Sequence, residues 1–357
     1  MRLRSNVAAT TAVLGLAVVL TACSSSSTTA GSGTSAGSST SAGSATSGGS
    51  ASSAGSSATA GGKYKIALIP GVANDAYYGS VACGVKSVAE AAGSSVDVQA
   101  PKSFSPTDQI PILTAVIATK PDVIIIAPTD SKALFTPLKQ AVDAGIKVVL
   151  VDTTLADPSI AVAQVSSDNI AAGKVAAETL AGLLKGQKGS VVTVNLTAGV
   201  TTTDDREKGF ADGLKATADL SYIGQQFSKN SVQTATSIVS ATLAAHPDLV
   251  GVFSTAAFNT EGAVAALKSS NKAATVKIVG FDANPSGIKQ IQDGSVAAQV
   301  VLKPYDEGRA AAQQALNALD GKPVVKVTST GADVATKDNL QSAEIQKYLY
   351  SFTCPTT

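Results

Sequence analysis

The chain has one histidine, three cysteines and no tryptophan in 357 residues, and these shortages remove most catalytic chemistries. A Ser-His-Asp or Cys-His site needs its imidazole beside a nucleophile. His246 instead precedes Pro247 after an Ala-rich segment, which assigns it a structural place at a helix end. Zinc hydrolysis needs several His or Cys ligands at workable spacing, which three scattered cysteines do not supply. No Gly-x-Gly-x-x-Gly stands at a strand-to-helix junction, and Gly186 to Ser190 lacks the lysine placement of a phosphate-cradling loop. No catalytic residue, metal or cofactor is therefore expected. Two carboxylates across a cleft would make a glycosidase, the best enzymatic alternative.

A charge excess is also missing. Arg2 and Arg4 are the only charged residues before Lys63, so the rest carries 25 basic and 26 acidic side chains, a net charge of −1. Nucleic-acid binding thereby loses its electrostatic footprint.

What is present begins with an export signal over residues 1–22. Arg2 and Arg4 form a positive start, and Val7 to Leu20 form an apolar stretch too short and too interrupted by small residues for a spanning helix. It ends in Leu20-Thr21-Ala22-Cys23, which resembles the bacterial lipoprotein box. That resemblance implies lipidation of Cys23 and attachment to the outer face of the cell membrane, each buried methylene contributing about 0.8 kcal/mol. An ordinary secretory signal with a chance cysteine is the alternative. From Ser24 to Gly62 there are only Ser, Thr, Ala and Gly, so nothing offsets the ordering cost of about 1–2 kcal/mol per residue. Residues 23–62 are expected to be a disordered tether with an end-to-end distance of about 35 Å. A glycosylated stalk fits the same composition.

Lys63 onward leaves about 295 residues, suited to two lobes. Short β-branched runs predict strands at 64–70, 123–127, 148–152, 190–195, 250–254, 276–281 and 296–302. Segments with apolar positions every three or four residues predict helices at 79–92, 131–144, 171–184, 208–218, 231–245 and 260–269, with a last one at 342–350. Continuously apolar strands alternating with helices imply parallel sheets covered on both faces. The predicted fold class is α/β, two doubly wound parallel-sheet lobes.

Ligands in such sheets bind beyond the carboxyl ends of strands. Those ends carry Asn74-Asp75 with Tyr77-Tyr78, Pro128 to Ser131, Asp152 to Thr154, Thr201 to Arg206, Thr255 to Asn259, and Gly280 to Pro285. Carboxylates accept hydroxyl protons and aromatic faces cover C–H patches, the two things a polyhydroxylated ligand needs. Asp152 and Asp282 also fit as helix caps, and so do Asp130 and Asp168. Tyr77 and Tyr78 also fit as core aromatics beneath the first helix.

These segments resemble the type I periplasmic solute-binding proteins of sugar ABC importers, closest in pattern to ribose-binding proteins. The markers are Asn74-Asp75 with Tyr77-Tyr78, Ala127 to Ser131, Val165 to Asn169, Arg206 with Gly209-Phe210, Ala245 to Asp248, and Gly280 to Asp282. Their order covers Lys63 to about Asp338. The resemblance implies a three-crossing hinge near Ser166–Ser167, Leu302–Pro304 and Gly331, an N-terminal lobe of 63–167 plus 303–331, and a C-terminal lobe and tail of 168–302 plus 332–357. It carries ligand contacts onto Asp75, Tyr77, Tyr78, Asp152, Thr153, Asp204, Asn230, Ala256, Asp282 and Leu302. Thr153 and Asp204 stand where the family pattern has arginines, and Ala256 and Leu302 where it has amides. Four aspartates and no arginine imply a neutral sugar or polyol, an acidic ligand being repelled. Arg206, Lys229, Asn259 and Lys303 are the neighbours through which the assignment can shift.

Once Cys23 is lipidated, Cys83 and Cys354 remain as an even pair in an exported chain, and a disulfide is expected over two free thiols. The expected protein is a monomeric substrate-binding lipoprotein that closes on a sugar or polyol and delivers it to an ABC permease. A sensory receptor presenting ligand to a signalling partner is the alternative.

Overall fold

A computed structural model describes residues 63–354. The expected signal, Cys23 and tether lie outside the described residues. The first half-chain runs β1 (Lys65–Ile69), α1 (Ala76–Ala91), β2 (Ser95–Val98), α2 (Pro106–Ala118), β3 (Val123–Ile126), α3 (Phe135–Asp143), β4 (Lys147–Val151) and β5 (Ala163–Ser167). The second repeats the plan with α4 (Asn169–Leu184), β6 (Gly189–Asn195), α5 (Thr201–Leu214), β7 (Leu220–Phe227), α6 (Val232–Ala245), β8 (Leu249–Ser254), α7 (Ala257–Ser269), β9 (Lys277–Phe281), α8 (Pro285–Gln292) and β10 (Ala298–Val301). The last elements are α9 (Pro304–Leu319), β11 (Val327–Thr330), β12 (Asp333–Thr336) and α10 (Ala343–Lys347).

Two six-stranded sheets result, ordered β11-β5-β4-β3-β1-β2 and β12-β10-β9-β8-β6-β7. Every pairing is parallel except that of β12 with β10. The α/β class and the two parallel-dominated sheets follow from the apolar runs: β3 is Val-Ile-Ile-Ile with all four residues buried, as a strand covered on both faces requires. Three passages join the sheets: after Ser167, between Val301 and Pro304, and between Thr330 and Asp333.

Side-chain caps set where several helices start. Asp75 accepts from the backbone N–H groups of Tyr77 and Tyr78, Ser105 caps α2 ahead of Pro106, Asp168 caps α4, and Asn284 caps α8 ahead of Pro285. Asp130 accepts from the N–H groups of Lys132 and Ala133 in the turn before α3. His246 ends α6.

Sequence reading missed β2, β5, β7, β11, β12, α2, α8 and α9. β2 and β7 are edge strands with half-exposed polar residues, and β11 and β12 are four-residue edges, so none carries a continuous apolar run. Pro106 and Pro111 interrupt the periodicity of α2.

Each lobe is closed by a helix pair crossing at glycines. A Cβ on Gly84 of α1 would lie 2.1 Å from the Tyr305 carbonyl oxygen, and one on Gly308 of α9 would lie 2.1 Å from that of Val81. The α4–α5 pair repeats this, with Gly173 against Arg206 and Gly209 against Ile170, again at 2.1 Å. Gly308→Ala is therefore expected to cost about 1–3 kcal/mol, because backbone cannot yield as a side chain does. Gly182→Ala, with open space around it in α4, is expected to stabilise by about 0.4–1 kcal/mol. Urea unfolding of both variants checks this, and equal midpoints would contradict the close-crossing account.

Candidate functional site

Equivalent strands of the two sheets, β4 and β9, each end on an aspartate in left-handed backbone. Asp152 has φ 62° and Asp282 has φ 80°. Their amides donate to matching acceptors, Asp152 to the Val165 carbonyl at 2.8 Å and Asp282 to that of Val300 at 3.1 Å. Left-handed backbone costs a residue with a Cβ about 1–2 kcal/mol, least for Asp and Asn. The two carboxylates line one cavity that is partly open to solvent.

Seven of the ten residues expected at a site line this cavity: Asp75, Tyr77, Tyr78, Asp152, Asn230, Ala256 and Asp282. The other three do not. Thr153 is buried with its hydroxyl donating to the Pro128 carbonyl at 2.8 Å. Leu302 is fully buried in the apolar core, and its amide donates to the Tyr350 hydroxyl at 3.1 Å. Asp204 accepts from the Gly199 amide at 2.8 Å outside the lining.

The reason for the last correction is helical. The helix predicted at 208–218 begins at Thr201, so Thr201 to Arg206 forms its opening turns rather than a loop. Positions 202 and 203 lie four and three residues before 206 on one face of α5, and all three line the cavity, whereas 204 lies on the other side. Of the four neighbours through which the assignment can shift, Arg206 lines the cavity. Arg206 is only 5% exposed, and it donates to Asn169 Oδ1 at 2.9 Å and to the Thr255 carbonyl at 2.8 Å. Its guanidinium lies 4.5 Å from the centre of the Phe281 ring, in an aromatic core where Phe210 stacks on Phe253. Two of its five N–H donors are used in these bonds.

Of the other neighbours, Lys303 pairs with Asp333 at 3.2 Å, and Asn259 is buried with its amide on the Val194 carbonyl. Neither lines the cavity, and nor does Lys229. Sequence reading also missed Val72, Phe104, Leu196, Val200 and Phe258, apolar residues with no chemical signature apart from their place beyond strand ends.

Both tyrosines turn their hydroxyls onto Asp152, Tyr78 at 2.7 Å and Tyr77 at 3.2 Å, and their rings meet edge to face at 5.3 Å between centroids. The Tyr77 hydroxyl also lies 2.6 Å from Glu307 Oε2. Glu307 is fully buried in the first turn of α9, and its other oxygen accepts from Ser167 at the end of β5 and from Thr330 at the end of β11. One carboxyl thus joins the first and third inter-sheet passages, from a helix that opens directly after the second. Sequence reading did not single it out, since a Glu in the first turn of a helix is ordinary on its own.

Burial dominates the electrostatics. It pushes Asp75 up to about 7, aided by the charge of Asp282 and opposed by the Tyr77 and Tyr78 amides. It pushes Glu307 up to about 7 as well, aided by Asp152. Asp152 and Asp282 are also raised by burial, with Arg206 pulling both back. Tyr77 has one proton and two carboxyl neighbours. When Glu307 is protonated it donates to Tyr77, which then donates to Asp152. When Glu307 ionises it accepts the Tyr77 hydroxyl's hydrogen bond, and Asp152 loses that donor. Among the described residues no group of three His, Cys, Asp or Glu side chains is arranged to hold a metal.

Two lobes, three passages and a polar cavity fed from both strand ends define a hinged solute-binding protein. Residues 66–323 match the periplasmic binding protein domain, and the chain belongs to that family, in its type I sugar-binding form. The ribose import binding protein of Bacillus subtilis is 28% identical over 279 residues, covering 77% of this chain and 88% of that protein. A D-ribose/D-allose-binding protein of Pseudomonas aeruginosa is 34% identical over 203 residues, 54% of this chain and 61% of that one. An ABC transporter solute-binding protein from Agrobacterium vitis, solved with α-D-tagatopyranose, has a TM-score of 0.79 at 34% identity, covering 81% of this chain and 100% of its own. A second from that organism, solved with D-fucose, has a TM-score of 0.75 at 29% identity over 80% of this chain and 100% of its own. These relatives are binding proteins of transport systems rather than enzymes.

The raised carboxyls fix the sign of a pH dependence. The native state holds protons that the unfolded chain, with carboxyls near their ordinary values of 3.8 and 4.5, has already released. Native stability therefore falls as pH rises from about 4.5 to about 7 and levels off above. Melting temperatures of the ligand-free protein should drop between pH 5 and pH 7.5, and Glu307→Gln should flatten part of that drop. A profile that rises across this window would contradict the assignment.

Proposed function

We propose that the protein captures a small neutral sugar or polyol between its lobes and delivers it to an ABC permease. The observation that carries this reading is the pair Asp152 and Asp282, one at a strand end of each sheet, lining the same cavity. A ligand whose hydroxyls donate to both carboxylates is bound more tightly when the lobes are together, so it shifts the hinge toward closure. Phe104 from the first lobe and Phe258 from the second add aromatic surface for the C–H faces of a ring. Asp75 and Asn230 supply further acceptors at the rim, and Arg206 the one fixed set of cationic donors. Three carboxylates against one guanidinium disfavour sugar acids and phosphates. The relatives solved with tagatopyranose and fucose, and those described as ribose-binding, support a monosaccharide-sized ligand.

The anchor and tether give capture a place. Lipidated Cys23 holds the protein at the outer membrane face, and residues 24–62 let the lobes reach a permease at high local concentration without diffusing away. Fatty-acid labelling tests this part: Cys23→Ser is expected to abolish label and release protein to the medium.

Thermal shifts with pentoses, hexoses and four- to six-carbon polyols test the ligand class. A true ligand at a hundred times its Kd should stabilise by about 2.7 kcal/mol. Asp152→Asn and Asp282→Asn should each weaken it by about 10- to 100-fold, as for hydrogen bonds to charged groups worth about 1.5–3 kcal/mol. Because hydroxyl donors favour ionised carboxylates, affinity should rise with pH through about 7, opposite to the ligand-free stability trend. If only acidic sugars or phosphates shift the melt, the ligand class is wrong.

A further inference from the structure

Beyond β12 the chain does not stay with the second lobe. Leu340 and Ile345 are buried in the core, α10 follows, and residues 348–354 then run across the lobe boundary. On the second lobe, the Tyr350 amide donates to the Ala283 carbonyl at 3.0 Å, and its hydroxyl accepts from the Leu302 amide at 3.1 Å. That hydroxyl also lies 3.4 Å from Asp282 Oδ1. On the first lobe, the Ser351 amide donates to the Ser80 hydroxyl of α1 at 3.1 Å, and Cys354 is disulfide-bonded to Cys83 of the same helix, with Cα atoms 5.1 Å apart. Between these anchors Tyr350 is 4% exposed, and its ring meets that of Tyr77 at 5.6 Å between centroids.

The tail is fastened to both lobes, to the first through the bridge expected between Cys83 and Cys354. We propose that residues 337–354 are a strap, a fourth link between the lobes, which backs the cavity wall through Tyr350 and restrains hinge opening as long as Cys83–Cys354 is intact. Three passages alone leave a hinge whose amplitude is limited only where the passages themselves stiffen. A fourth tie, hydrogen-bonded at one end and covalent at the other, must lengthen or undock before the lobes part further. Tyr350 undocks at the cost of the Leu302 and Ala283 backbone hydrogen bonds and of its buried ring, and it releases a donor from Asp282. Opening is thereby coupled to the cavity's own carboxylate. Cys354 is exposed, so a reductant reaches the bridge without unfolding the core.

The strap is a claim about the sugar-free protein, and its test needs no ligand. Non-canonical ketone-bearing residues at Lys102, near Phe104, and at Gln233, near Asn230, both exposed, accept a fluorophore pair that spans the cleft without touching cysteines. Inter-lobe distance distributions are recorded for the full-length chain in two arms. In one the bridge is reduced, with free thiols counted and circular dichroism confirming the fold. In the other Tyr350→Ala cuts the opposite anchor while the bridge stays oxidised. Either arm should shift the distribution to longer distances and broaden it. If reduction unfolds the chain, the Tyr350→Ala arm decides alone. Distributions unchanged in both arms, or unchanged in Tyr350→Ala where that arm alone is readable, overturn the strap. Neither result bears on which sugar is bound.

Discussion

The buried carboxyl of Glu307 is the point through which the molecule's moving parts meet. Ser167 reaches it from the first passage, Thr330 from the third, and α9, which carries it, opens directly after the second. Among the described residues no cation pairs with it; three hydroxyls donate to it, from Ser167, Thr330 and Tyr77. A hinge must bend while its strands stay together, and a carboxyl clasped by hydroxyls permits that, because hydroxyl rotors follow small movements more readily than a rigid ion pair. Tyr77 carries the same network into the cavity at Asp152, so the state of the hinge and that of the binding carboxylate are not independent.

Around that junction the lobes are variations on one plan. Asp152 and Asp282 occupy equivalent strand ends in the same uncommon backbone conformation, and glycine-mediated helix crossings close each lobe in the same way. The repetition delivers one acceptor from each side of the cleft, where a ligand bridging the lobes can use both. Left-handed backbone and desolvation coincide at both residues, as expected where structure is held for a function rather than for stability. Arg206 breaks the symmetry, since the equivalent face of α1 presents Tyr77 and Tyr78 instead. Its charge pulls both aspartates back toward ionisation.

Much of this was legible in the sequence, and the failures have physical causes. Buried parallel strands such as β3 announce themselves by unbroken β-branched runs, and the cap Asp168 by its place before apolar periodicity. Edge strands are half exposed and carry no such run, so β2, β7, β11 and β12 were invisible. The resemblance carries a contact onto Asp204 rather than Arg206, and only the helical phase of α5 sorts those neighbours by face. Leu302 and Thr153 stand at strand ends as expected but turn inward, a choice made by packing rather than by residue type. Glu307 and Tyr350 reach the site through tertiary contact from elements far along the chain, and nothing local marks them.

The central claim is that a neutral sugar is held between carboxylates of both lobes and that this contact closes the hinge. A crystal structure of the protein with its most stabilising monosaccharide tests it most directly. The account predicts closed lobes, with sugar hydroxyls within hydrogen-bond distance of both Asp152 and Asp282. A sugar held by one lobe alone, or bound away from this cavity, would contradict it.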